Sequence, residues 1–278
     1  MVAVKRDEIS LWRDSQLHGG MEILQATCYE HAYPPHFHDE FVIAAFARGA
    51  QRTRVCRKTG IAAAGTIMII APGEVHTGEA VQRDEGWDYC AFYPGDNLVN
   101  EVAQTVLSGK GEVNFGQQGI RYDPAMARRM LHAASVIKQS HDILEKECVI
   151  YHILNLLVSR YGERTVKGSV QGVARADIRK AIDFLHCAYT QSLSVKEIAQ
   201  VAGLSEFYFM RTFQKTTGLS VHQYLTQIRL MRAKGLLATG IGAAQVASDV
   251  GFFDQSHLIK HFRVHFGTTP GLFAVASL

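Results

Sequence analysis

A chain of 278 residues, 47% hydrophobic and 20% charged, has the length for two domains that each bury a core, and no apolar run near the roughly 18 residues of a membrane span. Its net charge is +3, but residues 172–278 hold +5 (11 Lys and Arg against 6 Asp and Glu) and residues 1–171 hold −2, so only the C-terminal end is expected to meet a polyanion. Five scattered cysteines (Cys28, Cys56, Cys90, Cys148, Cys187) without a CxxC pair, and an opening MVAVKRDEIS with no apolar segment, exclude a disulfide framework, a zinc ribbon and a secretory signal, and point to free thiols in the cytoplasm.

From about residue 20 to 95 the sequence reads as short strands between turns. FVIAAFARGA, QRTRVCR and GTIMIIAPG are strand-like, with Gly49, Gly60, Gly65 and Pro72–Gly73 as punctuation. Regularly spaced short strands imply an antiparallel sandwich or barrel. In PPHFHDEFVIAAFARG, His36, His38 and Glu40 alternate, so in a strand their side chains share one face. His76 follows the Pro-Gly turn. Three imidazoles and a carboxylate converging in a small barrel suit a divalent metal such as zinc, iron or manganese; they also suit the polar lining of a small-molecule pocket, or plain structural histidines. Trp87, Tyr89 and Phe92 in GWDYCAFYP are candidate aromatic walls or core.

The pattern turns helical at 124–161, in DPAMARRMLHAASVIKQ and HDILEKECVIYHILNLLVSRYG. In the second, Leu144, Cys148, Tyr151, Leu154 and Val158 recur at three- and four-residue steps as one apolar stripe. GERTVKGSVQGVAR (162–175) is polar and glycine-bearing, the composition of an interdomain linker. Everything after it is helical in pattern.

That last region contains an internal repeat. LSVKEIAQVAGLSEFYFMRTFQKTTGLSVHQYL (193–225) aligns with IGAAQVASDVGFFDQSHLIKHFRVHFGTTPGLF (241–273), matching Ala199 with Ala247, Gly203 with Gly251, Phe213 with Phe262 and Gly218 with Gly267. Each copy reads as helix, glycine turn, helix. Ser194 and Glu197 form a capping box, Gly203 supplies a left-handed end, and Ser205 caps the next helix. On that helix Phe209 and Phe213 share a face, and the opposite face carries Phe207, Tyr208, Arg211, Gln214 and Lys215. In the second copy Asp254 is the cap and Leu258 and Phe262 face inward. Ser256, His257, Lys260 and Arg263 face out, with Gln255 in the first turn. Such faces suit helices lying in a DNA major groove, hydrogen-bonding base edges and phosphates. One polar face is commonly no more than a solvated surface; two matched copies with repeating caps, glycines and core positions favour recognition. Between them, residues 220–240 read as a helix of about 18 residues, roughly 27 Å long, started by a Ser220/Gln223 capping box and ended near Gly240. It would hold the two recognition helices in successive major grooves, roughly 34 Å apart.

Residues 175–273 resemble the DNA-binding domain of the AraC/XylS family of regulators, in IAQVAGLSEFYFMRTFQKTTG, QIRLMRAKGLLA and ASDVGFFDQSHLIKHFRVHFGTTP. The resemblance implies binding to double-stranded promoter DNA, with base contacts from Phe207, Met210 and Arg211 in the first unit and from Gln255, Ser256, His257 and Lys260 in the second. Two departures from the family stand out: Gly242 replaces the usual Ser or Thr cap, and Phe207 and Met210 replace polar readers, which shifts readout toward thymine methyl groups. The histidine-bearing segments resemble the paired motifs of the cupin fold found in the sensor domains of such regulators. That implies an effector pocket lined by His36, His38, Glu40 and His76, with a divalent metal on the same residues as the alternative. The usual cupin glutamate falls near Val42, and the closing Asn falls at Ala80. The 142–161 stripe reads by default as the core-packing face of a helix; the resemblance implies instead a homodimer through it and, for an activator, contact with RNA polymerase. The expected fold is α+β in two domains: a cupin-like β-barrel followed by helices at 1–161, a linker at 162–174, and an all-α double helix-turn-helix at 175–278. The expected protein is a regulator and not an enzyme. Its rival is a metal-dependent cupin enzyme of the dioxygenase or isomerase type with a helical appendage, which the missing glutamate disfavours.

Overall fold

In the computed structural model, which describes residues 6–55, 58–109, 111–116, 118–165 and 176–278, the apolar runs of the N-terminal half become strands buried on both faces. The strands are β1 (Glu8–Asp14), β2 (Met21–Cys28), β3 (Tyr33–His36), β4 (Val42–Val55), β5 (Lys58–Ala63), β6 (Thr66–Ile70), β7 (His76–Ala80), β8 (Trp87–Tyr93), β9 (Glu112–Asn114) and β10 (Ile120–Tyr122). The main path runs β1-β2-β8-β4-β6-β10, with every pairing antiparallel. FVIAAFARGA and QRTRVCR are therefore not two strands: β4 runs through both. Its first part pairs with β6 and β8 and its end with β5 and β7. The break a turn would have made is a bulge between Phe46 and Arg48, where a locally extra residue bends the strand without ending it. Gly49, at φ +63, sits just past this bend. Arg48 braces it by donating to both Asp88 carboxylate oxygens (2.7 and 2.8 Å) and to the Tyr29 hydroxyl (3.1 Å).

In β2, β6, β8 and the first part of β4, side-chain alternation assigns residues to two buried faces. Ile23, Ile43, Ala45, Ile67, Ile69, Cys90 and Phe92 pack on the helices α1 (Asp96–Val106), α2 (Pro124–Gln139) and α3 (Ile143–Tyr161), against Val99, Met126, Met130, Ile153 and Leu157. Residues of the other parity, including Cys28, Phe46, Met68, Tyr89 and Tyr93, turn to the barrel interior. The buried thiols of Cys28 and Cys90 are pushed up to about 12 by burial, so neither is a reactive thiolate. On α3 the core takes Ile150, Ile153, Leu154, Leu157 and Val158. The expected stripe is thus split: Leu154 and Val158 are buried, while Leu144, Cys148 and Tyr151 are exposed. Residues 163–165 of the expected linker form a strand, β11 (Glu163–Thr165), paired with β9; 166–175 lie outside the described residues.

The chain divides into two units, built on Met1–Val170 and Gln171–Val275. The second is helical: α4 (Ala176–Ala188), α5 (Val195–Ala202), α6 (Glu206–Thr217), α7 (Val221–Leu237), α8 (Ala243–Asp249), α9 (Gln255–Phe266) and α10 (Pro270–Ser277). Both sequence-read capping boxes form, Ser194 with Glu197 and Ser220 with Gln223. Asp254 accepts from the His257 amide. Ser205 and Gly242 stand at helix starts without a side-chain cap bond. The helix α7 ends at Leu237, before Gly240, whose φ of +86 turns the chain. It packs on α6 and on α8 and α9, and Arg229 ties it to the end of α4 by donating to the carbonyls of Tyr189 (2.7 Å) and Gln191 (2.9 Å). Among the described residues no helix is long and apolar enough to cross a membrane.

Candidate functional site

In the helical unit, α5–α6 and α8–α9 are two helix-turn-helix pairs. Gly203 ends α5 in the left-handed region at φ +69. Its counterpart Gly251 has φ +83 and lies so close to Thr190 that a Cβ there would stand 2.7 Å from the carbonyl oxygen. On α6, Phe209 and Phe213 are fully buried, which forces Phe207 (74% exposed), Tyr208, Met210, Arg211, Gln214 and Lys215 to the outside. On α9, Leu258 and Phe262 are buried and Gln255, Ser256, Lys260 and Arg263 are exposed. The two faces differ in chemistry, the first aromatic and apolar with Arg211 and Lys215, the second polar and basic.

His257 departs from the expected outward face. It is half-buried, with its ring 5.3 Å from Phe252 and 4.6 Å from His261. At i, i+4 and i+8, His257, His261 and His265 form a column along α9, and the His265 ring nitrogen donates to the His261 carbonyl at 2.8 Å. The pattern H-x3-H-x3-H was legible in the sequence, but it lies between the inward and outward faces and was missed. Burial lowers His261 from 6.5 to about 4, helped by His257, His265, His222 and Lys260. Between those values the unfolded chain binds more protons than the folded one, so stability is full above about pH 6.5 and falls toward pH 4. Thermal unfolding of the helical unit is expected at lower temperature near pH 5 than near pH 7.5, and His261→Gln should shrink the difference. An undiminished difference in that variant would place the acid sensitivity elsewhere.

In the barrel, His36 on β3 and His76 on β7 are direct cross-strand partners. The strand ends at His36; His38 follows it and Glu40 lies in a bend. The expected alternation therefore stops short. His36, His38 and His76 are buried at 6%, 7% and 6% exposure, and ligand atoms of the three rings all lie within 4.8 Å of one another. Glu40, partly exposed, is not in this group, because the bend takes it off the face an unbroken strand would have given it. Its charge is felt instead by Tyr93, whose hydroxyl is raised above the usual phenol range first by burial and then by Glu22 and Glu40. Burial lowers His76 to about 4, so it is a neutral donor at ordinary pH. The walls are Tyr33, 6.1 Å from His36 between ring centres, and Tyr93, 4.9 Å from His38, with Tyr89 and Trp87 stacked beyond. Phe92 is not among them: one step along β8, it faces the helices. Three buried imidazoles suit a divalent ion of the zinc class.

Comparison with known proteins finds a family match in each half of the chain. The family described as the AraC-like ligand binding domain matches residues 18–154, and a helix-turn-helix domain family matches 198–274. The HTH-type transcriptional regulator YbfI of Bacillus subtilis is 27% identical over 227 residues, 81% of each chain. The Msm operon regulatory protein of Streptococcus mutans is 24% identical over 245 residues, 87% of each. The crystal structure of ToxT from Vibrio cholerae O395 shares the fold, with a TM-score of 0.55 at 10% identity over 98% of this chain and 99% of that one. With a ligand-binding barrel ahead of a paired helix-turn-helix unit, the chain belongs to the AraC family of DNA-binding transcription regulators.

Proposed function

We propose that this regulator reads promoter DNA with the exposed faces of α6 and α9, and that a small molecule held beside His36, His38 and His76 controls that reading. The observation that carries it is the repetition of one arrangement twice in the helical unit, with core rings at Phe213 and Phe262 and an exposed face opposite each. On α6, Phe207, Tyr208 and Met210 meet thymine methyls and sugars, while Arg211, Gln214 and Lys215 supply hydrogen bonds and charge. On α9, Gln255, Ser256 and Lys260 address base edges and Arg263 the phosphates. His257, half-buried, contributes from the edge of that face. The barrel acts as a sensor and not as a catalyst. Glu40, outside the histidine group, is a rim residue of its mouth.

Leu144, Cys148 and Tyr151 leave an apolar row exposed on α3, which is the surface we assign to a homodimer. Two copies joined there bind adjacent half-sites with a gain in effective concentration, and effector binding shifts the balance between subunit arrangements. The bound dimer contacts RNA polymerase and activates transcription.

Fluorescence anisotropy with the protein's own upstream DNA against a scrambled duplex, at about 150 mM salt, tests the reading. A preference of roughly a thousandfold is expected. Arg211→Ala and Lys260→Ala should each weaken specific binding about 5- to 100-fold with unfolding temperatures unchanged. Equal affinity for both duplexes, with and without candidate effectors, would defeat the proposal.

A further inference from the structure

We propose that Phe253, the residue just ahead of the α9 cap, is a further specificity-determining residue, and that its ring reads the C5-methyl group of a thymine at the edge of the box bound by α9. This role rests on α9 lying in the major groove of promoter DNA, as proposed above.

Phe253 is the residue by which the two helix-turn-helix copies differ in length. Gly203 and Gly251 are 48 residues apart, whereas the caps Ser205 and Asp254 and the core rings Phe213 and Phe262 are 49 apart. The backbone shows where the extra residue enters. After the left-handed glycine of each copy the next amide closes the turn, Leu204 donating to the Ala199 carbonyl at 3.0 Å and Phe252 to the Ala247 carbonyl at 2.8 Å. Phe252 is thus the counterpart of Leu204, and both turn inward. Leu204 packs on the core that holds Phe209; Phe252, 6% exposed, packs against the rings of His257 and His261. In the first copy the cap Ser205 follows at once. In the second, Phe253 stands between, and with the inward place already filled it is left 91% exposed. An apolar residue ahead of a cap commonly packs on the fourth residue of its helix, here Leu258. At that exposure Phe253 does not, so the fold makes no use of its ring.

The surroundings of Phe253 name the occupant. Among the described residues of the helical unit, the exposed phenyl and phenol rings are those of Phe207, Tyr208 and Phe253. All three stand within three residues of the cap that starts α6 or α9. Phe253 also opens an exposed run that continues through Asp254 to Gln255 and Ser256, and the first residues of a recognition helix are those that meet base edges. A phenyl ring has no hydrogen bond to give a phosphate or a base edge. The thymine methyl is the group that base pairs display in the major groove for apolar contact.

The test is fluorescence anisotropy of the full-length protein on its upstream duplex and on duplexes in which each thymine in turn is replaced by deoxyuridine, which removes only the methyl. At one position wild-type binding should weaken roughly fourfold, the worth of one buried methyl. Phe253→Ser should bind the unmodified duplex at least that much more weakly, with its unfolding temperature unchanged, and should lose the deoxyuridine penalty at that position alone. Phe253→Leu, still apolar, should keep the penalty. If Phe253→Ser binds as the wild type does, or every deoxyuridine penalty survives in it, Phe253 is not a reader; weakened binding by Arg211→Ala and Lys260→Ala would leave the DNA reading itself standing. Unchanged DNA affinity with reduced transcription by purified RNA polymerase would assign the ring to a protein contact and overturn the proposal. No wild-type preference for the upstream duplex over a scrambled one would overturn both readings together.

Discussion

Gly49→Ala is expected to prevent the barrel from folding. The residue sits at φ +63, where an L side chain costs about 1–2 kcal/mol. That strain is the smaller part. A Cβ at Gly49 would stand 1.9 Å from the Gly86 carbonyl oxygen and 3.0 Å from the Trp87 Cα, backbone atoms that β4–β8 pairing holds in place. The contact can be relieved only by opening the ladder at the bulge, which releases the Arg48–Asp88 brace and exposes Trp87. A loss exceeding about 4 kcal/mol is expected, a large share of the 5–15 kcal/mol that typically holds a domain together. The control is Gly73→Ala, with φ +75 but nothing within 4 Å of an added Cβ; it should cost only the conformational term, about 1–2 kcal/mol. Soluble yield and near-ultraviolet circular dichroism of the two variants would report the contrast. If they melt alike, the close approach of β4 to Gly86 is wrong.

The second large effect is predicted for the rings inside the paired helices. Phe213 is fully buried, with Phe209 at 5.5 Å and Tyr224 at 5.4 Å between ring centres; Phe262 is fully buried, with Phe266 at 4.6 Å and Phe273 at 5.8 Å. Phe213→Ala and Phe262→Ala each remove a ring that the surroundings cannot replace, for about 3–5 kcal/mol each. Either should abolish specific DNA binding by loosening the helix that presents the face. Phe207→Ala is the informative counterpart. At 74% exposure it should change stability by no more than about 0.5 kcal/mol while still weakening DNA binding. Should Phe207→Ala destabilise as much as Phe213→Ala, the inside and outside of α6 have been exchanged.

The helical unit was the more legible part of the sequence. Its helices are bounded by local chemistry, such as Ser194 with Glu197, Ser220 with Gln223 and the left-handed Gly203 and Gly218, and capping needs nothing outside a few residues. Periodicity then separated Phe209 and Phe213 from their exposed neighbours. The barrel was less legible because its pairings are between distant segments. Nothing local shows that β4 continues through Gly49, since the bulge there depends on Gly86. The three histidines were identified from spacing, yet Glu40 was misplaced by extending a strand two steps beyond its end. The exchange of Phe92 for Tyr93 in the pocket wall was recoverable from alternation along β8. The helix α1 was also recoverable: Leu98, Val99, Val102 and Val106 recur at helical steps, in a stretch that the strand pattern before it and the long helices after it overshadowed. The apolar stripe of α3 was divided between core and surface for a different reason. That helix carries two apolar rows, and only tertiary packing decides that Ile150, Ile153 and Leu157 take the core.

The burial of α7 has a consequence for promoter architecture. Val221, Leu225, Ile228, Leu230, Ala233 and Leu237 bury one side chain after another along its 17 residues, so it is embedded in the unit it connects and cannot stretch or swivel as a tether would. In the DNA reading proposed above, the distance between the two boxes bound by one subunit is then set by the protein. An insertion of about 5 base pairs between those boxes turns the second to the far side of the duplex. One of about 10 restores the phase but doubles a gap of roughly one helical turn, and the chain has no slack to cross it. Both insertions should therefore silence the site equally, whereas in the homodimer proposed above the same full-turn insertion between the half-sites of its two subunits should be tolerated.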